Sequence, residues 1–362
     1  MTELESNPDA SNGPRGRARP NRPAPTIYDI AELAGVNPST VSRALSKPGR
    51  ISAKTEKLIQ DAAKELNYRV NPMARALPTG RTSTLGLIIA DITNPMFFEV
   101  VRGAERAAAL GGYTLILAES QESGEREAAA AERVAPSVDG LILVTTRLAD
   151  AQIRELAELK PLVVINRRVD AVAAIVPELE PGIVQALTHL AEFGHRAIAF
   201  VSGPANSWMS SARWNELLER AVERNMTIVE IGPGIPTLDG GREAISRVVA
   251  SGVTAVIAYN DLMAIGLLRA AQERGLNVPG RLSIVGFDDI FGSDFTSPPL
   301  TTIRTPLGLV GELAVRRAFE LLDHDLPALG ANGAGEKSAG ENGAAVLATE
   351  LIVRGSTGPL DP

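Results

Sequence analysis

Short aliphatic runs recur along this chain from about Leu85 onward: "LGLIIA" at 85, "TLILA" at 114, "GLILV" at 140, "LVVI" at 162, "AIAFV" at 197, "TAVIAY" at 254, "LSIVGF" at 282 and "TELIV" at 349. Longer amphipathic stretches such as "FFEVVRGAERAAAL" and "DLMAIGLLRAAQERG" lie between them. A strand that is apolar on both faces belongs inside a parallel sheet, and parallel pairing needs a crossover that is usually a helix. The alternation therefore predicts an α/β body with helices on both faces of its sheets. So many runs exceed what one sheet would comfortably hold, and two lobes are expected. With 44% hydrophobic residues but only 4% aromatic ones, the cores must rely on aliphatic packing, which suits the same class.

A chain of 362 residues is long enough for two or three independently folding units. It has no cysteine, which removes disulfides, thiolate zinc sites and cysteine nucleophiles. Its first 25 residues lack the apolar segment of a secretory signal, and no later run reaches membrane-spanning length. A cytoplasmic location without a membrane partner is expected. Charge is unevenly placed: up to Arg81, 13 Lys and Arg face 8 Asp and Glu, a surplus of +5, while the remainder carries −12, which together give the formal −7. A basic head on an acidic body points to an anionic partner for the head, with nucleic acid the first candidate. Residues 1–25, with Arg15, Arg17, Arg19 and Arg22, read as a disordered basic tail, and the Gly-rich 329–344 as a flexible insert.

The head is legible in "TIYDIAELAGVNPSTVSRALS", residues 26–46. Thr26 can cap a first helix with Ile30, Leu33 and Ala34 on one face, and Gly35 supplies the positive φ of a tight turn. Asn37 can cap a second helix with Pro38 at its first position, where the missing N–H costs nothing. Val41, Ala44 and Leu45 would face inward, leaving Ser39, Thr40, Ser42 and Arg43 outward. A third helix from about Ala53 to Leu66 would add Leu58, Ile59, Ala62, Ala63 and Leu66. Two helices joined by a Gly turn and backed by a third form a helix-turn-helix over 26–70, whose second helix fits a major groove. Arg43 suits bidentate bonding to guanine, the hydroxyls suit bases or phosphates, and Thr26 and Tyr28 complete the candidate DNA contacts. In "NYRVNPMARALPTGR", Asn71 and Pro72 open a helix that Pro78 closes, too short to stand alone in water. Asn71, Met73, Ala74, Arg75 and Leu77 form a candidate hinge over 71–81. Leu77 could wedge into a minor groove or pack on its own head domain.

Taken together, "IYDIAELAGVNPSTVSRALS", "NPMARAL", "DITNPMFF", "GHRAIAFVSGP", "NDLMAIGLL", "IVGFDDI" and "PPLTTI" resemble the lactose and galactose repressor (LacI/GalR) family, from about Thr26 to Thr357. The resemblance implies a helix-turn-helix head and a hinge helix that folds on operator DNA with its leucine in the minor groove. It also implies a periplasmic-binding-protein-like body of two Rossmann-like lobes joined by three crossover strands. Lobe one would span about 84–178 plus 304–328, and lobe two about 179–303 plus 345–357, within a core of 82–357.

Sheets of this kind bind ligands beyond the carboxyl ends of their strands, so polar residues just after the apolar runs deserve notice. These are Asp91, Asn94, Asn166, Arg167, Asn260, Asp261, Asp288 and Asp289, with Phe97 or Trp208 able to cover an apolar face. By family position, Asn94 to Phe98 (with Phe97 and Phe98) would line the first lobe. Arg213, beside Trp208 and Met209, would grip the effector, and Asn260 and Asp288 would contact it from the second lobe. For Asn260 and Asp261 an ordinary helix cap is the competing role. Asn166 stands where the family commonly has aspartate, and Pro177 and Glu178 where Asp and Asn are frequent. These departures point away from a familiar disaccharide or simple sugar.

No phosphate-binding G-x-x-x-x-G-K-[ST] loop, G-x-G-x-x-G turn, G-x-S-x-G elbow or H-E-x-x-H pair occurs, and the three histidines are scattered. Adjacent Asp288 and Asp289 on an extended chain point to opposite faces and make a poor acid–base pair. An exported solute-binding protein would fit the body but not the DNA-reading head. The expected function is a homodimeric, cytoplasmic repressor without catalytic residues, metal or cofactor. It would bind a pseudo-palindromic operator under control of a small polar effector, a sugar or related metabolite.

Overall fold

A computed structural model describes residues 25–46, 50–68, 80–324 and 345–360. They form two compact units divided between Gly80 and Arg81. The expected tail, the hinge residues Asn71, Met73, Ala74, Arg75 and Leu77, and the Gly-rich insert lie outside the described residues.

In the first unit, helices α1 (Ile27–Ala34), α2 (Pro38–Ser46) and α3 (Ala53–Glu65) pack around Ile30, Val41 and Ile59, with Ala31, Ala44 and Ala62 closing the gaps. The Asp29 carboxylate accepts from both the Thr26 backbone N–H and the Thr26 hydroxyl, each at 2.6 Å, which fixes where α1 begins. Gly35 then turns the chain with φ 65°, a left-handed conformation that glycine adopts without Cβ strain. Ser52 caps α3, its hydroxyl accepting from Thr55 N at 3.2 Å. Leu33 and Leu58, expected on inner faces, are 46% and 48% exposed. The alanines at 31, 34, 62 and 63 lie nearer the centre of each apolar stripe and rotate these two leucines outward.

The second unit carries β1 (Thr84–Ile89), α4 (Met96–Leu110), β2 (Thr114–Glu119), α5 (Gly124–Val134), β3 (Gly140–Val144), α6 (Asp150–Leu159), β4 (Leu162–Ile165), β5 (Ala173–Glu178) and α7 (Glu180–Glu192). There follow β6 (Ala197–Val201), α8 (Trp208–Glu223), β7 (Thr227–Ile231), α9 (Leu238–Ser251), β8 (Ala255–Ala258), α10 (Asp261–Glu273) and β9 (Ser283–Asp288). The unit ends with β10 (Thr301–Arg304), α11 (Leu307–Leu321), β11 (Ala345–Ala348) and β12 (Glu350–Ile352). Among the described residues these strands form two sheets, ordered β11-β5-β4-β3-β1-β2 and β12-β10-β9-β8-β6-β7. The first is parallel throughout; in the second, only β12 runs antiparallel, against β10.

The interior strands β3, β4, β8 and β9 are buried along their whole length, and the edge strands β2 and β7 are partly exposed, as a doubly covered sheet requires. Helices α4 and α11 pack against each other through small residues. A Cβ at Gly103 would overlap the Gly308 carbonyl, so this close approach depends on glycine. The chain passes between the sheets at 178–180, 304–307 and 348–350, matching the expected three crossovers. Within the expected 345–357 portion of the second lobe, Ala345–Ala348 instead extends the first sheet, because β11 finds its parallel partner in β5. Among the described residues no helix is long and apolar enough to cross a membrane.

Candidate functional site

On the head, the apolar spacing of α2 turns Val41 and Ala44 inward and leaves Ser39, Ser42 and Arg43 exposed, with Thr40 half-buried. Tyr28, at the start of α1, is 68% exposed. These are the side chains a groove would meet if α2 entered it, and Pro38 stands at the helix's first position, as expected.

In the body, loops after strands of both sheets converge on one cleft. Asn94, Met96 and Phe97 follow β1, Glu122 follows β2, Thr145 and Arg147 follow β3, and Asn166 follows β4. From the second lobe come Met209 and Arg213 on α8, Pro236 before α9, Tyr259 and Asn260 after β8, and Asp288 at the end of β9. Glu122, Thr145, Asn166 and Asp288 have left-handed backbones, with φ of 59°, 54°, 64° and 104°. Each such residue costs about 1–3 kcal/mol and persists only where surrounding structure enforces it, typically at functional sites.

Two ion pairs organise the wall, the first buried at both ends and the second with its Glu122 side chain 26% exposed. Arg213 Nη2 donates to Asp288 Oδ1 at 2.7 Å, Nη1 donates to the Tyr259 carbonyl, and the guanidinium carbon lies 3.7 Å from the centre of the Phe287 ring. Its Nε is buried without a hydrogen-bond partner. Burial pushes the Asp288 carboxyl above its ordinary range, against the opposing pull of Arg213. In the first lobe, Arg147 Nε and Nη2 reach Glu122 Oε2 at 2.8 and 2.6 Å, and Nη1 donates to the Thr145 carbonyl at 2.8 Å. Burial works against the Arg147 charge, but the Tyr259 phenol and Glu122 outweigh it and raise its pKa. The cleft thus holds two guanidinium and two carboxylate groups in balance, among amides, a hydroxyl and a phenol. The side chains bury one another, leaving a cavity of only about 10 Å3, room for about one water and far below the roughly 300 Å3 of a small-molecule pocket.

Asn260 combines the two roles that its position allowed. Its Oδ1 caps α10 by accepting from Met263 N at 2.9 Å, and Nδ2 donates to Pro236 O at 3.0 Å within the cleft wall. Asn94 Oδ1 similarly accepts from Met96 N at 3.1 Å. Asp261 is a fastening residue: completely buried, it accepts from Thr302 Oγ1 at 2.5 Å and Ile290 N at 2.8 Å. Burial, then the nearby Asp288, raises its pKa well above the usual carboxylate range. Asp289 turns away from Asp288 to bind Arg304 and Arg354, each at 2.7 Å.

Of the expected effector residues, Asn94, Phe97, Asn166, Met209, Arg213, Asn260 and Asp288 line the cleft. Asp91, Phe98 and Trp208 lie outside this wall. Asp91 folds back on Thr93, Phe98 is 47% exposed on α4, and Trp208 packs half-buried against the hydrophobic core. Glu122, Thr145, Arg147, Pro236 and Tyr259 escaped the sequence reading. Thr145 and Arg147 directly follow "GLILV", and Tyr259 ends "TAVIAY", so the strand-end rule would have found them.

Residues 26–71 match the model of bacterial regulatory proteins of the lacI family, and 187–357 match the periplasmic binding protein-like domain. The HTH-type transcriptional repressor CytR of Escherichia coli (strain K12) is 32% identical over 357 residues, covering 94% of this chain and 98% of that protein. The lac repressor dimer bound to operator and the anti-inducer ONPF superposes with a TM-score of 0.80 at 26% identity, over 93% of this chain and 100% of that one. A transcriptional regulator CelR–cellobiose complex superposes at 0.64 and 27% identity, over 92% and 99%. A DNA-reading head joined to a two-lobed ligand-binding body defines a regulator rather than an enzyme. The chain belongs to the LacI family of bacterial regulatory proteins.

Proposed function

We propose that this chain is a cytoplasmic, homodimeric transcriptional repressor whose operator affinity is set by a small effector held between the lobes. The observation that carries the reading is the union, in one chain, of an outward Ser39, Ser42 and Arg43 face on α2 with a cleft walled by both lobes. Two heads related by a two-fold axis would read half-sites of a pseudo-palindrome about one helical turn apart. The lac repressor matched above is a dimer on operator, which supports this arrangement. Asn71 to Leu77 would form the hinge, with Leu77 at the minor groove and Arg75 near phosphates.

The effector reading rests on chemistry. Carboxamides from Asn94, Asn166 and Asn260, the Thr145 hydroxyl and the buried Arg213–Asp288 pair offer donors and acceptors in fixed directions. Because each arginine is already matched by a carboxylate of its own lobe, the cleft favours an uncharged, hydroxylated or heterocyclic ligand over a phosphorylated one. The CelR match with cellobiose bound is compatible with that class. The test is a thermal-shift screen of sugars, polyols, sugar phosphates and nucleobases against the wild type and Arg213→Ala. Ligand at a hundred times its dissociation constant adds about 2.7 kcal/mol. An uncharged hit whose shift disappears in Arg213→Ala supports the reading; hits among sugar phosphates alone, or a shift that survives in Arg213→Ala, refute the proposed ligand class or site.

A further inference from the structure

Asp288 closes β9 and Asp289 follows it, and both residues have left-handed backbones, with φ of 104° and 56°. Such conformations persist only where the surroundings enforce them. The alternation of an extended strand no longer decides where these two side chains point, so their partners do. Asp288, 3% exposed, lies in the cleft and pairs with Arg213. Asp289 goes the other way. Arg354 Nη2 reaches its Oδ1 and Arg304 Nε its Oδ2, each at 2.7 Å, and the Ser293 hydroxyl donates to Oδ1 at 3.0 Å. The Asp289 side chain is 9% exposed. Burial alone would raise its pKa, but Arg354 and Arg304 outweigh it and hold the carboxyl below its ordinary range, so Asp289 is charged at neutral pH.

The two arginines are themselves fixed. Arg304 ends β10, opens the second crossover and stands opposite Asp288 in the ladder between β10 and β9. Its Nη1 donates at 3.0 Å to Oε1 of Glu350, the first residue of β12, to which the third crossover leads. Arg354, two residues beyond β12, donates through Nη1 to the Leu300 carbonyl at 2.8 Å and the Ser293 hydroxyl at 3.1 Å. The Asp289 carboxylate therefore fastens the end of β9 to the two segments that carry the chain out of and back into the second lobe. Ile290 N, next along, donates to Asp261 at 2.8 Å, but that bond holds backbone and no side chain of the wall. We propose that Asp289 is a positioning residue of the effector wall, which by binding Arg304 and Arg354 fixes the left-handed turn that aims Asp288 at Arg213. The inference rests on the effector reading above and adds a residue outside the cleft whose charge sets the geometry inside it. Its consequence is that the coupling between Arg213 and Asp288 depends on Asp289, whereas an ion pair that merely stabilised the fold would contribute independently.

A triple-variant cycle separates the two roles without any ligand. Urea unfolding of the full-length protein, followed by the fluorescence of Trp208 and Trp214 on α8, gives the midpoint shifts of Arg213→Met, Asp288→Asn and the two together, which define the coupling of that pair. The same set is then measured on Asp289→Asn, where the amide keeps the size of the side chain and tolerates the left-handed backbone but turns an NH2 toward one of the two arginines. Asp139→Asn is the control. Asp139 accepts from Thr82 N and Ser83 N at 2.7 and 2.9 Å in the first lobe, so its loss weakens the body without touching the turn. The expected result is a coupling that shrinks toward additivity on Asp289→Asn and keeps its wild-type size on Asp139→Asn. A coupling of wild-type size on Asp289→Asn overturns the proposal, and so does one that shrinks equally on Asp139→Asn, because general destabilisation would then be the cause. Should Asp289→Asn not fold, Arg304→Gln, on a side chain 44% exposed, removes one clamp alone. The coupling should shrink there as well, and an unchanged one overturns the proposal. Since no ligand is added, that failure would stand apart from failure of the effector reading, which the ligand screen decides.

Discussion

Removing Arg213 while leaving Asp288 in place should be among the costliest single changes in the body. Asp288 is 3% exposed, and its partner nitrogen lies at 2.7 Å. At that separation and an effective dielectric of 20, the direct attraction is about 6 kcal/mol. Desolvation of both ions offsets much of it, and breaking such a pair from one side costs about 3–5 kcal/mol. Arg213→Met is therefore expected to lose about that amount at neutral pH, and Arg213→Met/Asp288→Asn to recover about 2–3 kcal/mol of it. The assay is urea unfolding followed by tryptophan fluorescence. Both tryptophans, Trp208 and Trp214, lie on α8, so the signal follows the body and is blind to the head. The pH sign is also fixed. A buried Asp288 has its pKa raised, so its burden is absent below the unfolded carboxylate pKa and grows as pH rises toward the folded value. Without Arg213 that burden increases, so the deficit of Arg213→Met relative to wild type should be smallest near pH 4 and full near pH 7. Equal stabilities for the single and double variants, or a deficit independent of pH, would refute the argument.

Asp261→Asn should hold or raise stability at neutral pH, with the advantage fading as pH falls, because the folded state raises the pKa of this carboxyl. Calorimetry showing a loss beyond about 1–2 kcal/mol at pH 7 would mean that the two bonds to Thr302 and Ile290 need the carboxylate. His195 is buried with Nε2 3.1 Å from the Gly358 carbonyl, which must accept, so Nδ1 accepts from the Thr254 hydroxyl at 2.9 Å. Burial lowers its pKa from 6.5, so its contribution is present above that value and lost as pH falls below it. His195→Gln should flatten the pH dependence of unfolding between about 7 and 5; an unchanged slope would remove His195 from that role. On the head, Arg43→Ala should cost about 1–3 kcal/mol of base discrimination while keeping much of the non-specific binding. Anisotropy titrations on operators selected from a random library, at several salt concentrations, check this, and unchanged preference among operator variants would defeat the assignment.

The parts of the fold that sequence made legible were those in which one residue pattern serves one purpose. The buried strands announce themselves as unbroken aliphatic runs, and the head as cap, Gly turn and polar face. Strands β5, β7, β10 and β11 did not. β5 carries Pro177, β7 is an edge strand with Thr227 and Glu230 exposed, and β10 and β11 have four residues each. Such segments become strands because a neighbouring strand offers them a ladder, which no local pattern records. The cleft follows the same division. Polar residues after strands were findable by position, but the partnership of Arg147 with Glu122 joins loops after β3 and β2, and that of Arg213 with Asp288 joins α8 to the end of β9.

That arrangement bears on how a switch of this kind stays reversible. Typical allosteric coupling is about 1–3 kcal/mol, so the contacts exchanged between lobe arrangements must differ by little more. The crossovers themselves are tied together. Thr349, in the third, donates through Oγ1 to the Glu178 carbonyl at 2.9 Å and accepts from Gly182 N at 3.1 Å beside the first. With the hinge strands joined in this way, what the lobes can exchange is their facing surfaces. If the Arg213–Asp288 pair spanned the cleft, opening it would expose the molecule to the cost of a broken buried ion pair, about 3–5 kcal/mol. It lies within one lobe instead, as does Arg147–Glu122. Parting the lobes then exchanges only the facing cleft surfaces, with Met96 and Phe97 on one side and Met209 on the other, for contacts with solvent or ligand. An effector of a few well-placed hydrogen bonds can outweigh that difference, which an inter-lobe ion pair would have placed beyond its reach.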